Sequence, residues 1–174
     1  MNEVLKAMKE RRSIRSFRPE PVREEDLNAI LEAGIYAPSA KNLQSTKLVV
    51  VRDAAVLARL ERLNSRILGT PEGTPFYGAP EAIVVLSDSE YPNWLQDGSL
   101  VMGNLMQAAH AVGLGSCWIN RAKEEFDSEE GKQLLKEWGI EGEYEGVGHC
   151  ILGYTDGTVP QAAPRKANRV FYVK

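Results

Sequence analysis

The sequence has few of the side chains that bind metals or form disulfides. It contains two cysteines and two histidines in 174 residues, and Cys117 and Cys150 form no C-x-x-C or other metal-binding spacing. His110 and His149 add too few ligands for a zinc site, which is usually four-coordinate. We therefore predict that the chain holds no metal and, in a reducing compartment, no structural disulfide.

Long apolar runs are absent as well. No stretch reaches the ~18 uninterrupted apolar residues that a membrane span needs, and the first residues, MNEVLKAMKERRS, lack the apolar core of a signal peptide. We therefore expect a cytoplasmic protein with no membrane partner. Hydrophobic residues make up 43% of the chain, enough for one core, whereas two domains would be cramped in this length. The sequence thus predicts one domain over residues 1–174.

Positive charge is slightly outnumbered by negative charge overall, but it is dense at the two ends. The net charge of −3 argues against a nucleic-acid partner. Residues 1–18 nevertheless carry a local charge of +4, and residues 161–174 carry another +4. These basic ends are either solvated tails or two walls of one anion site, and composition leaves both interpretations open.

Hydrophobic periodicity and turn residues predict an α+β order of elements. The predicted helices cover residues 3–11, 23–36, 53–66, 99–113 and 128–138, and the predicted strands cover residues 46–52, 81–87, 116–120, 146–154 and 168–174. Turn or loop chemistry fills residues 37–45, 64–80 and 88–98. Because the order lacks a strict βαβ rhythm, it predicts a layered α+β fold around one central sheet.

The usual catalytic signatures are missing. The chain has no G-x-S-x-G elbow, P-loop or H-E-x-x-H motif, and GLGS at residues 113–116 is too short for a dinucleotide fingerprint. Cys150 and His149 could form a nucleophile pair, but adjacent strand residues point to opposite faces. His110 is expected to be a core residue. We therefore predict no catalytic side chain, and a bound cofactor becomes the natural carrier of the chemistry.

Four blocks of residues, in the correct order, resemble the nitroreductase family of flavin-dependent oxidoreductases. They are RRSIRSF, then ILEAGIYAPSAKNLQSTKLVVV, then LMQAAHAVGLGSCWI, then ILGY followed by PRK, and they run from about residue 5 to about residue 168. The resemblance implies a three-layer fold with a central, mostly antiparallel sheet flanked by helices. It also implies an intertwined homodimer with FMN at the dimer interface.

The resemblance further implies which residues bind FMN. Its phosphate, ribityl chain and pyrimidine edge would be held by Arg11, Arg12, Ser13 and Arg15. A turn that reaches the partner's flavin would contribute Pro38, Ser39, Ala40 and Asn42. The backbone of a strand along the ring would contribute Ser116, Cys117 and Trp118. A second phosphate contact would come from Arg165 and Lys166. Arg12 or Arg15 would stabilise the negative charge that develops on the ring at reduction.

The activity implied by the resemblance is hydride transfer from NADH or NADPH, through flavin N5, to a nitroaromatic, quinone or similar small acceptor by a ping-pong mechanism. Two alternatives stay open: a specialised flavin reductase with a non-nitro substrate, and an FMN-binding module that senses redox state or stores flavin. Tyr91 and Trp94 in the loop 88–98 are either pocket-lining residues or aromatics that pack locally.

Overall fold

The computed structural model describes residues 2–174, so Met1, which belongs to the predicted domain, lies outside it. The helices within the described range are α1 (Glu3–Glu10), α2 (Glu24–Ile35), α3 (Ala54–Leu68), α4 (Trp94–Ala111), α5 (Ala122–Asp127) and α6 (Glu129–Glu137). A short 3₁₀ turn covers Ala40–Asn42. The strands are β1 (Thr46–Val51), β2 (Glu81–Asp88), β3 (Gly115–Ile119) and β4 (Tyr144–Gly153).

The four strands form one antiparallel sheet in the order β1-β2-β4-β3. The central strand β2 reads EAIVVLSD and is buried from Glu81 to Ser87, as a short β-branched run predicts. In the register, Val84 lies opposite His149, and Cys150 lies opposite Trp118. The predicted central antiparallel sheet is therefore confirmed.

Helices cover both faces of this sheet. Helices α2 and α4 pack on one face, where Ile30 and Leu105 meet Ile83 of β2. Helices α3, α5 and α6 pack on the other face, where the alternating strand residues Val84 and Leu86 point. We call these the α4 face and the α3 face. Together with the sheet they confirm the predicted three-layer α+β architecture.

Three predictions about elements were wrong. Helix α4 begins at Trp94 rather than 99, and Asp97 supplies an acidic first turn that suits the positive end of the helix dipole. Helix α5 was not predicted, since its six residues are too short to show periodicity. Within the described chain no strand follows residue 153, and the predicted strand 168–174 has exposed side chains because no neighbouring strand pairs with it. The other predicted helices and strands are confirmed to within two residues at each end, whereas the predicted loop 64–80 was wrong at its start because α3 continues to Leu68.

The two histidines lie in different surroundings. His110 on α4 is half-buried, so its predicted place in the core was wrong. His149 is fully buried on the α3 face, where Phe76 and Phe126 pack beside its ring. Its neighbour Cys150 points to the α4 face. None of the helices in residues 2–174 combines the length and apolar character needed to cross a bilayer.

Candidate functional site

The basic N-terminal segment lies along strand β3. The backbone N–H of Ile14 donates to the carbonyl of Ser116 at 3.0 Å, and Ser13 pairs with Ser116 in an isolated parallel bridge. Ile14 itself is buried, and a Cβ on Gly115 would come within 2.8 Å of its side chain. This close approach of two backbones brings the predicted groups of the first and third blocks, residues 11–15 and 116–118, to the same place.

The three arginines of this segment differ in what their guanidinium groups contact. Arg12 donates from Nη1 to the carbonyls of Lys9 and Arg11 at 2.7 and 2.6 Å, so its own backbone already engages that nitrogen. Arg15 is exposed, with its guanidinium carbon 5.8 Å from the ring centroid of Tyr77. Arg11 is half-buried, and its buried Nη1 has no hydrogen-bond partner within residues 2–174. Among these three arginines, Arg11 is therefore the one with a buried donor that lacks a partner in the described residues.

A hollow of about 220 Å³ lies beside these residues. Its lining includes Arg11, Arg12, Ile14, His110, Ser116 and Thr155. The Ser116 hydroxyl is buried, and no atom of the described residues pairs with it. Buried polar groups are nearly always hydrogen-bonded in folded proteins. Arg11 and Ser116 both line this hollow, and each has a buried polar atom without a partner among the described residues, a combination suited to a bound anion.

Strand β3 divides its predicted residues between the two faces of the sheet. Trp118 packs on the α4 face, where its indole Nε1 is buried without a partner in the described part of the chain. Gly148 on β4 lies directly against this indole and leaves no room for a Cβ. The Cys117 side chain is buried on the α3 face. Only the backbone of Cys117 is therefore placed to contribute to a site on the α4 face.

The thiol of Cys150 is fully buried on the α4 face. Burial raises the pKa of Cys150 to about 12, with a smaller contribution from Cys117, while the positive charge of Arg11 acts in the opposite direction. The thiol is therefore neutral at physiological pH and cannot serve as a nucleophile. Together with the opposite orientation of His149, this excludes the Cys–His pair considered above.

The turn that carries the second predicted group is held by local hydrogen bonds. Ser39 Oγ accepts from the backbone N–H of Gln44 at 3.0 Å, and Asn42 Oδ1 accepts from Gln44 Nε2 at 3.2 Å. Ala40 donates its N–H to Asp97 at 3.0 Å, and Pro38 is exposed. The turn does not line the hollow beside Arg11.

The basic C-terminal end lies apart from the N-terminal arginines in this single chain. Arg165 and Lys166 are exposed and line a shallow surface depression together with Arg169. From the segment after β4, the hollow beside Arg11 is lined by Thr155 and Val159 instead. The structure therefore does not bring together the two walls that the resemblance implies for a phosphate site.

Sequence reasoning missed Tyr77, which joins the loop 69–80 to the site. Tyr77 has a φ of 53° and follows Phe76, whose N–H donates to Glu61 Oε1 at 2.8 Å and whose ring is 5.2 Å from that of His149. Phe76 thus anchors the loop in the α3 face while Tyr77 reaches Arg15. The adjacent aromatics in PFYG were the available signal.

The two aromatics of the loop 88–98 have different outcomes. Trp94 is the first residue of α4 and packs against the apolar cluster of the α4 face, which favours the local-packing interpretation. Tyr91 is exposed by 37% in the short connection before α4. Within residues 2–174 no group of three or more His, Cys, Asp or Glu side chains is placed to hold a metal ion.

Known proteins resemble this chain in sequence. The family model described as "Nitroreductase family" matches residues 8–73 and 68–154. A Methanothermobacter thermautotrophicus protein named as an NADH dehydrogenase/NAD(P)H nitroreductase is 36% identical over 120 residues, which cover 67% of this chain and 60% of that protein. A Bacillus subtilis protein named FMN reductase (NAD(P)H) is 33% identical over 142 residues, covering 71% of this chain and 56% of that protein. The matched region therefore spans less than two thirds of either relative.

The fold is similar to that of a solved relative. The crystal structure of a nitroreductase with bound FMN from Bacteroides fragilis superposes with a TM-score of 0.92 at 30% sequence identity, and the match covers 100% of both chains.

Proposed function

Because this chain belongs to the nitroreductase family, we propose that it is an FMN-dependent oxidoreductase that uses NADH or NADPH to reduce a nitroaromatic, a quinone or a similar small acceptor. The observation that carries the proposal is the pair of unpartnered buried donors, Arg11 Nη1 and Ser116 Oγ, at one hollow beside the N-terminal segment. The solved relative with FMN and the relatives named for NAD(P)H support the choice of cofactor and electron donor.

The residues present fit FMN. A phosphate needs hydrogen-bond donors, and the unpartnered Arg11 Nη1 and Ser116 Oγ offer two. The indole Nε1 of Trp118 is a further donor without a partner in the described chain. We assign the phosphate to Arg11 in preference to Arg12, whose Nη1 already bonds its own backbone.

When bound, FMN supplies the hydride-accepting and hydride-donating centre of the reaction. The chain's own residues would then bind the cofactor, orient it and exclude water from it. The exposed guanidinium of Arg15 is free to stabilise negative charge at the pyrimidine edge of the ring. The protein needs no general acid or base for hydride transfer, in agreement with the neutral Cys150 and the buried His149. Donor and acceptor use the same site in turn, which gives ping-pong kinetics.

We further propose that two copies of this domain, residues 1–174, form a homodimer with FMN at the interface. Helix α1 has no buried residue, and its apolar side chains Val4, Leu5 and Met8 are all exposed in the single chain. An uncovered apolar helix face is typical of an interaction surface. In such a dimer, the turn with Pro38, Ser39, Ala40 and Asn42 would contact the partner's cofactor, and Arg165 and Lys166 would approach the phosphate from a rearranged C-terminal segment.

The absorption spectrum of the purified protein tests the proposal. We expect an FMN spectrum that bleaches when NADH or NADPH is added without oxygen and returns when nitrofurazone or menadione is added. The ratio of the two bleaching rates identifies the preferred nicotinamide. If neither nicotinamide bleaches the flavin, the proposed activity is wrong. If the flavin bleaches but neither acceptor restores it, a redox-sensing or flavin-storing module is the better description.

A second candidate is reduction of free flavin, which the 33% identity to the Bacillus subtilis protein named FMN reductase favours. Steady-state assays with free FMN, nitrofurazone and menadione as acceptors separate the two functions. A kcat/KM for free FMN above the values for both other acceptors would favour the flavin reductase.

A further inference from the structure

Helix α4 is hydrogen-bonded both to the last turn of α2 and to the start of the 3₁₀ turn. Asn104 Nδ2 donates to the carbonyl of Ala33 at 2.9 Å, and Asp97 Oδ1 accepts from the N–H of Ala40 at 3.0 Å. Asp97 and Asn104 are seven residues apart, which is about two helical turns, so both side chains project from the same face of α4. The segment 33–40 is therefore tied at both ends to one helix.

Asp97 is an unusual residue for this position. It is 4% exposed, and its second carboxylate oxygen, Oδ2, is buried without a partner among residues 2–174. Burial of a carboxylate is unfavourable unless it is hydrogen-bonded. Its place in the first turn of α4 offsets part of this penalty through the helix dipole. The hydrogen bond from the Ala40 N–H gives the buried carboxylate a partner in the turn.

The turn that Asp97 holds has a backbone that needs support. Lys41, Asn42 and Gln44 have φ values of 53°, 55° and 52°, in the left-handed region that disfavours residues other than glycine. Such conformations persist when the surrounding structure enforces them. The internal bonds from Gln44 link the turn to itself, whereas the bond from Ala40 links it to the rest of the fold.

We propose that Asp97 is a positioning residue that fixes the turn containing Ser39, Ala40 and Asn42 in its left-handed conformation through the Ala40 N–H. Its effect on FMN binding rests on the proposed function, since that function assigns these turn residues to the cofactor. The tether itself does not depend on FMN and can be tested without it.

Limited proteolysis measures the tether directly, because Lys41 is exposed and lies inside the turn. Asp97→Ala is expected to increase the rate of tryptic cleavage after Lys41 about tenfold or more, relative to cleavage at other sites, since a hydrogen bond to a charged group is lost. Asp97→Asn retains an oxygen that can accept from Ala40 and is expected to keep cleavage near the wild-type rate.

Two further variants separate the tether from general destabilisation. Glu81→Ala removes another buried acid, whose Oε1 accepts from the Val22 N–H at 2.9 Å and from Arg52 Nε at 3.0 Å and whose Oε2 is unpartnered among the described residues. It should lower stability without selective cleavage after Lys41. Asp97→Leu fills the site with an apolar side chain that cannot accept a hydrogen bond, so it should fold and still loosen the turn. The proposal is wrong if Asp97→Leu leaves cleavage after Lys41 unchanged, or if Glu81→Ala accelerates it equally.

FMN binding then tests the consequence for the site. The dissociation constant of FMN from the Asp97→Leu protein should rise about tenfold, with Asp97→Asn close to wild type. If the wild-type protein binds no FMN, the proposed function fails while the proteolysis result still decides the tether. If Lys41 becomes accessible but FMN affinity is unchanged, Asp97 holds the turn without positioning it for the cofactor, and the proposal is overturned in that part.

Discussion

Buried polar groups are treated differently on the two faces of the sheet. On the α3 face, Glu125 uses both carboxylate oxygens: Oε2 lies 2.9 Å from His149 Nε2, and Oε1 accepts from Asn64. Asn64 in turn donates to the carbonyl of Asn120 at 2.8 Å and accepts from Arg121 at 3.0 Å. In this network, Nδ1 of His149 lacks a partner among the described residues.

On the α4 face, several buried polar atoms are left without partners in the part of the chain that the structure describes. They include Arg11 Nη1, Ser116 Oγ, Trp118 Nε1 and Asp97 Oδ2. An unsatisfied buried group costs about 1–3 kcal/mol, so a cluster of them is unfavourable unless something else pairs with them. The difference supports the proposal that the α4 face contributes to a ligand site, whereas the α3 face is a structural core.

The largest expected effect comes from breaking the paired network. Glu125→Ala leaves His149 and Asn64 with buried, unpaired groups, so the free energy of unfolding should fall by about 3–5 kcal/mol. Urea denaturation measures this loss. Glu129→Ala, whose side chain is 95% exposed, is the matched control and should change stability by less than about 0.5 kcal/mol. If Glu125→Ala weakened FMN binding in the folded protein, the two faces would not be separate in function.

The next effect concerns ligand binding and not stability. Arg11→Ala should weaken FMN binding by about 1.5–3 kcal/mol, because a charge-assisted hydrogen bond is lost, while the stability of the apoprotein stays the same or rises. Flavin fluorescence quenching on the apoprotein gives the dissociation constant. Arg12→Ala is the matched control, since Arg12 Nη1 bonds the backbone of Lys9 and Arg11. An equal loss in both variants would contradict the assignment of the unused donor to Arg11.

The burial of the Cys150 thiol on the α4 face can be tested through its titration. Its folded-state pKa of about 12 lies above the unfolded value near 8.5. The unfolded chain therefore loses its thiol proton first. The stabilising contribution of Cys150 is fully present below about pH 8.5 and is lost as the pH rises towards 12. The unfolding free energy of wild type should fall with pH more steeply than that of Cys150→Ala, by at most about 1.4 kcal/mol per pH unit.

Modification by iodoacetamide provides a direct control for the burial of Cys150. At pH 8.5 the native protein should leave Cys150 unmodified, whereas the urea-unfolded protein should react. Rapid modification in the native state would mean that water reaches this face, and the unpartnered atoms there would then be solvated.

The smallest effect concerns the contact through which the α3-face loop reaches the site. The guanidinium of Arg15 and the ring of Tyr77 are exposed, so their cation–π interaction should contribute about 0.5–1 kcal/mol. A double-mutant cycle with Arg15→Ala and Tyr77→Leu, measured by urea unfolding, gives this coupling energy. Tyr77→Phe keeps the ring and should retain the coupling. A coupling of zero would mean that the Arg15–Tyr77 contact does not stabilise the position of the loop beside the site.

Much of the fold could be predicted because its elements have strong local signals. The β-branched run at residues 46–52 and the apolar run at 81–87 fixed β1 and β2 closely. The end strand 168–174 failed for the opposite reason: NRVFYVK alternates, but strand formation also needs a neighbour, which local sequence does not reveal. The start of α4 was missed because Pro92 and the nearby aromatics have loop chemistry, whereas Asn93 and Asp97 favour a helix start.

The candidate site was predicted as a set of residues but not as a set of roles. RRSIR identified the arginines, yet the difference between Arg11 and Arg12 depends on how α1 ends, since Arg12 bonds carbonyls of its own last turn. Tyr77 and Asp97 escaped prediction because their partners, Arg15 and Ala40, are more than 50 residues away in sequence. Such contacts are set by the packing of the layers and carry no local signal.

The strand order β1-β2-β4-β3 has a consequence for synthesis on the ribosome. Strand β4 pairs with β2 on one side and with β3 on the other, yet it is the last strand to be made. Until residue 153 has emerged, the apolar strand β2 has an unpaired edge, which is a template for association between nascent chains. The yield of folded protein should therefore depend on how quickly the final strand is delivered.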